Sequence, residues 1–306
     1  MSERSTSARR LAGKHGLRWA VAGALTAAVA LLLTASGTAA PAAGPDRAVG
    51  WRVPLGTGQV TSFAERDATD APTAIGIAIS GSALAGLPPE PSDHHHCVDR
   101  DSDGVMSHAT ECAHTHEFVV PLPDAVAARD DVPFKWVLLN YNMHGHAPPG
   151  IYDVPHFDVH FFMQSIEDVF AIHDGSCGPE LVDCDQFAIA KQPLPDGLMH
   201  PDFKDVDAVA PAMGNHLLDL GGHEFHGMPF TASWIYGAYG GRVTFYEQMV
   251  SLDYLQSRPN GCAAIKSPPA VAVSGYYPTQ RCVRYDAATD QYIVSLEGLV
   301  YRQAAS

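Results

Sequence analysis

A strict alternation of polar and apolar residues in the middle of the chain constrains the fold most. In the segment PHFDVHFF, residues 155–162, His156, Asp158 and His160 alternate with phenylalanine and valine. Successive side chains of a β-strand point to opposite faces, so the three polar residues share one face of the predicted strand. The apolar residues share the other face and pack into a hydrophobic layer. The segment therefore predicts a strand with one polar and one buried apolar face.

Most of the remaining chain also has sequence patterns that are typical of β-strands. Short β-branched and apolar runs, such as residues 73–80 and 134–143, are separated by Gly, Pro and Asp. Residues 230–250 predict a hairpin with Gly-Gly as its turn. We therefore expect a mainly β, single-domain protein over residues 44–306, either a β-sandwich or a barrel. Two short helices and a long surface loop are also expected, at residues 165–172, 251–256 and 174–211.

The N-terminus has the pattern of a secretory signal peptide. Basic residues precede an apolar run, and a stretch of small residues follows it, so residues 1–43 predict a cleaved leader and a secreted protein. A retained membrane anchor is the alternative. The chain has a net charge of −15, and the leader holds five basic residues and one acidic residue, so cleavage makes it more acidic. Such a charge disfavours nucleic acid as a partner, and after cleavage no membrane contact is expected.

The cysteine pattern supports export. Six cysteines lie outside the leader, and an even number in an exported chain predicts disulfides. Six cysteines allow fifteen pairings. We expect the nearest-neighbour set, because each pair brackets one local polar loop. A thiolate metal site is the alternative, but the chain has no C-x-x-C pair. The predicted disulfides are Cys97–Cys112, Cys177–Cys184 and Cys262–Cys282.

The histidines around the alternating strand predict a transition-metal site. His144 and His146 lie at i and i+2 of an expected preceding strand, a spacing that forms a two-nitrogen chelate, and the imidazoles and carboxylate of the alternating strand can complete the site. The alternative is a set of buried, hydrogen-bonded histidines without a metal. Glu247 is a candidate general base beside the metal. The predicted ligands are His146, His156, Asp158, His160 and His216, with Asp158 either a ligand or a partner that orients an imidazole; the expected metal is zinc.

A second ion site is predicted in the polar insertion at residues 93–116. Its segment DRDSDG begins like a calcium loop, with candidate ligands Asp99, Asp101 and Asp103. The twelfth loop position is Thr110, where an EF-hand loop has a bidentate glutamate. We therefore expect a calcium loop of another kind or a solvated polar loop.

Three segments together resemble a family of secreted bacterial proteins of unassigned function, the sigma-E-regulated Thermus-type domain. They are NMHGHAPPGIYDVPHFDVHFFM, which fits the pattern GHxPxGxYxxPHFDxHF, then MGNHLLDL, and IYGAYGGRVTFYEQM. Gln248 stands where that family usually has proline. The Cys-bounded insertion and His144 also depart from its pattern, which leaves His146 as the better ligand. The resemblance implies a β-rich, cupin-like fold and a homo-oligomer, but no established reaction.

These observations leave three functional hypotheses. The first is a secreted protein of unassigned activity with a transition-metal site. The second is a metal-dependent hydrolase or oxygenase-type enzyme, in which the metal keeps an open position. The third is a non-catalytic extracellular assembly or interaction module with buried histidines. An open metal position inside a pocket favours catalysis, whereas a closed site favours binding or structure.

Overall fold

The computed structural model describes residues 46–89, 99, 102–105 and 116–305. All of these residues lie in one compact unit that spans Ala43–Ser306. The predicted leader, the Cys97–Cys112 pair and Asp101 lie outside the described residues. In the described part, no helix is long and apolar enough to span a membrane.

Two antiparallel sheets form the body of the protein. The first sheet has six strands in the order β1-β2-β3-β15-β14-β12. Its strands are β1 (Asp46–Leu55), β2 (Gly58–Arg66), β3 (Pro72–Ser80), β12 (Asn260–Ala264), β14 (Gln280–Asp286) and β15 (Gln291–Glu297). The second sheet has seven strands in the order β4-β5-β6-β11-β10-β9-β8. Its strands are β4 (His116–Pro121), β5 (Trp136–Asn142), β6 (His156–Phe162), β8 (Phe203–Ala210), β9 (Gly214–Asp219), β10 (Ala232–Tyr239) and β11 (Arg242–Ser251).

Smaller elements complete the fold. Strands β13 (Gly275–Tyr277) and β16 (Val300–Arg302) form a two-stranded sheet, and β7 (Asp174–Cys177) is a short strand in a connecting segment. The α-helices are α1 (Asp124–Ala127), α2 (Ile166–Phe170), α3 (Cys184–Ala190) and α4 (Leu252–Gln256), and 3₁₀ turns cover Gly81–Leu84 and His223–His226.

The two large sheets pack face to face as a sandwich. Their facing sides share one buried apolar core, which joins residues such as Ile75 and Val294 of the first sheet to Val159 and Tyr246 of the second. The expected mainly β fold is thus confirmed, and of the two alternatives it is the sandwich that the described chain forms. The other side of the seven-stranded sheet, here called the outer face, is covered by the segments between its strands. Tyr152, Val169 and Phe230 of these segments pack against it.

Several local predictions are confirmed. Strands β10 and β11 form the expected hairpin, and its turn residues Gly240 and Gly241 both have positive φ, as a tight turn of this hand requires. Helices α2 and α4 begin where expected. Their N-cap residues, Ser165 and Ser251, each accept a hydrogen bond from a backbone N–H of the first turn.

Two local predictions are wrong. The long surface loop expected at residues 174–211 contains β7, α3 and β8. The expectation that His144 and His146 share a strand face also fails, because β5 ends at Asn142 and both histidines lie in the loop that leads to β6. Gly145 between them has a φ of 70°, a left-handed conformation that interrupts a strand.

Two of the three predicted disulfides are present, Cys177–Cys184 and Cys262–Cys282. Cys262 and Cys282 also lie near Glu297 in an arrangement that suits a metal ion, but their sulfurs are bonded to each other. A disulfide sulfur is not a thiolate, so this arrangement does not offer the sulfur ligands that zinc prefers.

Candidate metal centre

Strand β6 carries polar residues on the outer face, as its alternation predicts. Its apolar residues Phe157, Val159 and Phe161 point into the core between the sheets. The three polar side chains of β6 are nevertheless buried, because the segments that cover the outer face exclude water from them. Together with three side chains from other segments, they form two groups, each with two histidines and one carboxylate. The Glu247 group consists of His160, His216 and Glu247, and the Asp158 group consists of His146, His156 and Asp158.

The Glu247 group joins three strands of the sheet. Glu247 of β11 lies directly opposite His160 of β6 in the antiparallel register, and His216 comes from β9 on the other side. His160 Nε2 lies 3.5 Å from Glu247 Oε1, and His216 Nε2 lies 3.8 Å from Glu247 Oε2. The three ligand atoms lie within 4.8 Å of one another.

A phenylalanine supports both imidazoles of this group. The ring of Phe245 lies 5.0 Å from that of His160 and 5.1 Å from that of His216. Phe245 occupies the space above Gly237 of the neighbouring strand, where a Cβ atom would lie 2.0 Å from a ring carbon of Phe245. The absence of a side chain at Gly237 therefore allows Phe245 to hold the two histidines.

Backbone hydrogen bonds orient both imidazoles. His160 Nδ1 lies 3.3 Å from the carbonyl oxygen of Leu138, and His216 Nδ1 lies 3.0 Å from that of Ala208. A carbonyl oxygen can only accept, so we assign the ring proton to Nδ1 in both residues. The lone pair of each Nε2 then faces Glu247. Metal-binding histidines have this arrangement, in which one nitrogen donates to a carbonyl oxygen and the other faces the ion.

Two atoms of the Glu247 group have no hydrogen-bond partner among the described residues. They are His160 Nε2 and Glu247 Oε2, and both are buried. An unsatisfied buried polar atom costs about 1–3 kcal/mol, so this arrangement is unfavourable as it stands. A zinc ion with nitrogen and oxygen ligands at about 2.0–2.2 Å has them roughly 3.4 Å apart in a tetrahedral site. Each imidazole lies near that distance from one carboxylate oxygen, 3.5 Å from Oε1 for His160 and 3.8 Å from Oε2 for His216, and one ligand atom from each of the three residues lies within 4.8 Å of the others.

Burial controls the charges of the Glu247 group. It lowers the pKa of His160 to about 3 and that of His216 to about 4. It also raises the pKa of Glu247 well above its usual range, and the nearby charge of Asp158 adds to this effect. Both imidazoles are therefore neutral near pH 7, which is the form that binds metals.

The Asp158 group has the same composition but different contacts. His146 Nε2 lies 3.3 Å from Asp158 Oδ2, and Asn142 Nδ2 donates to the same oxygen at 2.6 Å. Asn142 Nδ2 also lies 3.2 Å from His156 Nε2, while the Nδ1 atoms of both histidines donate to carbonyl oxygens at 2.7 Å. Every ring nitrogen of this group thus has a partner. Only Asp158 Oδ1, 3.2 Å from His156 Nε2, lacks hydrogen-bond geometry.

The Asp158 group is also charged. Burial alone would raise the pKa of Asp158, but the imidazoles of His156 and His146 outweigh it and hold that pKa well below the usual range. Burial opposes protonation of His146 as well, but its hydrogen bond to Asp158 raises the pKa to about 9. His146 and Asp158 therefore form an ion pair near pH 7. About a third of the His146 side chain, 34%, remains exposed.

Both groups lie at one cavity of about 620 Å³. This volume is typical of small-molecule sites. His146, Asp158, His216 and Glu247 line the cavity, while His156 and His160 are not among its lining residues. Apolar residues of the covering segments, among them Ile151, Phe225 and Leu220, form most of the remaining lining.

The predicted ligands are thus all brought to one region, but not as a single four-histidine cluster. His146 and His156 lie with Asp158, whereas His160 and His216 lie with Glu247. His144 is exposed and belongs to neither group. Sequence reasoning missed Asn142, although β5 has a signal for it. Its residues Asn140 and Asn142 are two apart and pair with Asp158 and His156 in the register with β6.

Only part of the predicted calcium loop lies in the described chain. Asp99 accepts hydrogen bonds from the backbone N–H groups of Asp103 and Gly104, at 3.1 and 2.9 Å. Asp103 Oδ1 accepts one from Val105. These bonds are those of a tight polar turn, and with Asp101 outside the described residues the calcium site stays a prediction.

No family model, no curated protein and no solved structure matches this chain. The resemblance to the sigma-E-regulated family therefore stays a prediction. The two groups and the cavity beside them are therefore the basis for its proposed function.

Proposed function

We propose that the protein is a metal-dependent enzyme that binds one zinc ion through His160, His216 and Glu247. One observation carries this proposal. Two lone pairs and a carboxylate oxygen converge in a buried site, and two of these atoms have no other partner within the described chain. A divalent cation would satisfy all of them at once and would offset the cost of burying them.

The donor set indicates the type of centre. Two histidines and one carboxylate with open positions are found in zinc hydrolases and in non-haem iron oxygenases. We favour zinc, because it accepts a tetrahedral arrangement with the short spacings of this group. Glu247 then acts as a ligand, since it lies between the two histidines, and its predicted role as a general base is not needed.

The cavity favours catalysis over a purely structural ion. A structural zinc site has four protein ligands and excludes solvent, whereas this group offers three and opens onto a space large enough for a small molecule. When bound, zinc would supply a Lewis acid that polarises a substrate oxygen or a bound water. The chain itself contributes His146, which lines the same cavity and holds a proton on Nε2 against Asp158. That proton is available to a bound substrate.

We also propose that the protein acts outside the cell. Two disulfides lie in the described chain, and disulfides persist mainly in oxidising compartments. The leader pattern of residues 1–43 supports the same location.

The test is elemental analysis of the untagged mature protein, purified without added metal. We expect about one zinc per chain in the wild type and a nearly complete loss in Glu247→Gln, which keeps the shape of the side chain but weakens it as a ligand. The matched control is Glu167→Gln, because Glu167 is exposed on helix α2. Iron in place of zinc would support the oxygenase-type enzyme. A wild type without metal that also binds no added zinc would contradict the proposal and support the assembly module.

A further inference from the structure

Most of the cavity wall is apolar. Away from the two groups, its lining consists mainly of aliphatic and aromatic side chains, such as Ile151, Met213, Leu218, Phe225 and Ile235. Burying apolar ligand surface against such a wall contributes about 25 cal/mol per Å². A ligand with an apolar body therefore gains most of its affinity here.

The charged residues of the cavity all have the same sign, apart from the histidines. Glu117 and Glu180 line it together with Asp158 and Glu247, and no lysine or arginine does so among the described residues. Sites for carboxylate or phosphate ligands use arginine or lysine, which donate charge-assisted hydrogen bonds. In the metal-free protein the one cation that the described chain places at the wall, His146, is already paired with Asp158, so Glu117 and Glu180 set the sign of the charge there. An anionic ligand would thus lose its hydration without a compensating partner in the metal-free cavity.

We infer that this cavity binds a small, mainly apolar molecule that carries no negative charge and has a polar head group. The orientation of that head group toward His160, His216 and Glu247 rests on the proposed metal. The selection against anions does not, because it belongs to the metal-free cavity and follows from the apolar wall and from Glu117 and Glu180. Bound zinc would itself attract a carboxylate. This class of ligand can therefore be tested in metal-free protein, independently of the zinc centre.

The experiment compares two probes with the same apolar skeleton, phenylbutanol and phenylbutyrate. Their binding is measured by isothermal titration calorimetry, with the zinc-loaded mature protein and with the metal-free protein. We expect phenylbutanol to bind at least about tenfold tighter than phenylbutyrate in the metal-free protein, and the ratio to narrow in the zinc-loaded protein, where the metal attracts the carboxylate. Glu180→Lys should raise the affinity for phenylbutyrate and narrow this ratio. Glu167→Lys makes the same charge change at an exposed residue outside the lining, so it should leave the ratio unchanged.

Two variants test whether the probe occupies this cavity. Ala210→Trp and Val206→Trp each place an indole among the lining residues. Both should abolish phenylbutanol binding while the zinc content and the thermal transition stay close to those of the wild type. If one variant does not fold, the other still gives the result. Phenylbutanol binding that survives in a folded variant would overturn the inference.

The outcomes separate the inference from the proposed function. Phenylbutyrate binding as tightly as phenylbutanol after zinc has been removed, in a protein that retains zinc when untreated, overturns the inference and leaves the metal centre standing. The expected preference in protein that takes up no zinc supports the inference and contradicts the proposed enzyme.

Discussion

The Glu247 group and the Asp158 group have the same composition, two histidines and one carboxylate, on the same face of the same sheet. They differ in their partners. In the Asp158 group, every ring nitrogen has a hydrogen-bond partner, Asp158 Oδ1 has none among the described residues, and an ion pair provides the charge balance. In the Glu247 group, two buried atoms have no partner within the described chain. Donor identity alone thus does not distinguish a metal site from a polar network, and neither does a carboxylate oxygen without a partner, since each group has one. The difference is the ring nitrogen of His160, which has no partner within the described chain.

The largest expected effect is on the affinity for zinc, which should depend on a histidine of the Glu247 group and not on one of the Asp158 group. His160→Ala should lower the affinity for zinc by more than about a hundredfold, because losing a ligand should cost at least as much as losing a residue that only orients one. His156→Ala should retain zinc within about tenfold of the wild type. Competition with a chromogenic chelator measures both. Equal losses in the two variants would mean that the groups share one ion.

The second prediction concerns the stability of the Asp158 group. Asp158→Asn removes the negative charge that faces His146. The carboxylate that carries this charge also accepts a hydrogen bond from Asn142. Breaking a buried ion pair costs about 3–5 kcal/mol, and the partial exposure of His146 reduces this, so we expect a loss of about 2–4 kcal/mol. Urea unfolding measures it, with Asp168→Asn, at an exposed residue of helix α2, as control. Zinc should bind the variant with nearly wild-type affinity. A loss of zinc with no loss of stability would reverse the roles of the two groups.

Part of this arrangement follows from the sequence, because strand alternation is a local property. The segment PHFDVHFF fixes which side chains of β6 share a face, whatever the rest of the chain does. The Gly-Gly hairpin and the two short helices that begin at Ser165 and Ser251 are local in the same sense. The alternation, the hairpin and the two helices were predicted and are present in the structure.

The division into two groups is not local and was not predicted. It depends on the register of β6 with β11, which sets Glu247 opposite His160, and on the position of β9 two strands away from β11. It also depends on the loop that carries His146, which was expected to be a strand. Contacts of this kind join residues that are distant along the chain, and a pattern along one segment carries no information about them.

The third prediction concerns the pH dependence of the stability of the metal-free protein. The imidazoles of the Glu247 group are neutral near pH 7, whereas His146 and Asp158 form an ion pair. Below about pH 6.5, the ordinary pKa of histidine, the unfolded chain protonates His160 and His216. The folded chain keeps His160 neutral down to about pH 3 and His216 down to about pH 4. Burial also raises the pKa of Glu247, so the folded chain can hold at most one proton there that the unfolded chain has lost. The unfolded state thus binds at least one more proton between about pH 4.5 and 6.5, so stability rises with pH there.

Above pH 6.5 the sign changes. The folded chain still holds a proton on His146 up to about pH 9, and the unfolded chain has lost it. The raised pKa of Glu247 acts in the same direction. Stability therefore falls, and we expect a maximum near pH 6.5 in a series of urea unfolding curves. His146→Gln should flatten the alkaline decline, and the same change at the exposed His173 should not. A decline that is unchanged in His146→Gln would contradict the ion pair with Asp158.

The smallest expected effect tests the support of the Glu247 group without altering a ligand. Gly237→Ala places a Cβ atom against the ring of Phe245, which must then move away from His160 and His216. We expect an affinity for zinc about tenfold weaker, which is typical when a residue that orients a ligand is disturbed, and a loss of about 1 kcal/mol of stability. Gly261→Ala is the matched control, because no atom lies within 4 Å of the Cβ position there. The Asp158 group should not respond, since neither of its histidines contacts Phe245 in the described structure. An unchanged zinc affinity in Gly237→Ala would mean that the hydrogen bonds of Nδ1 to Leu138 and Ala208 suffice to orient the two imidazoles.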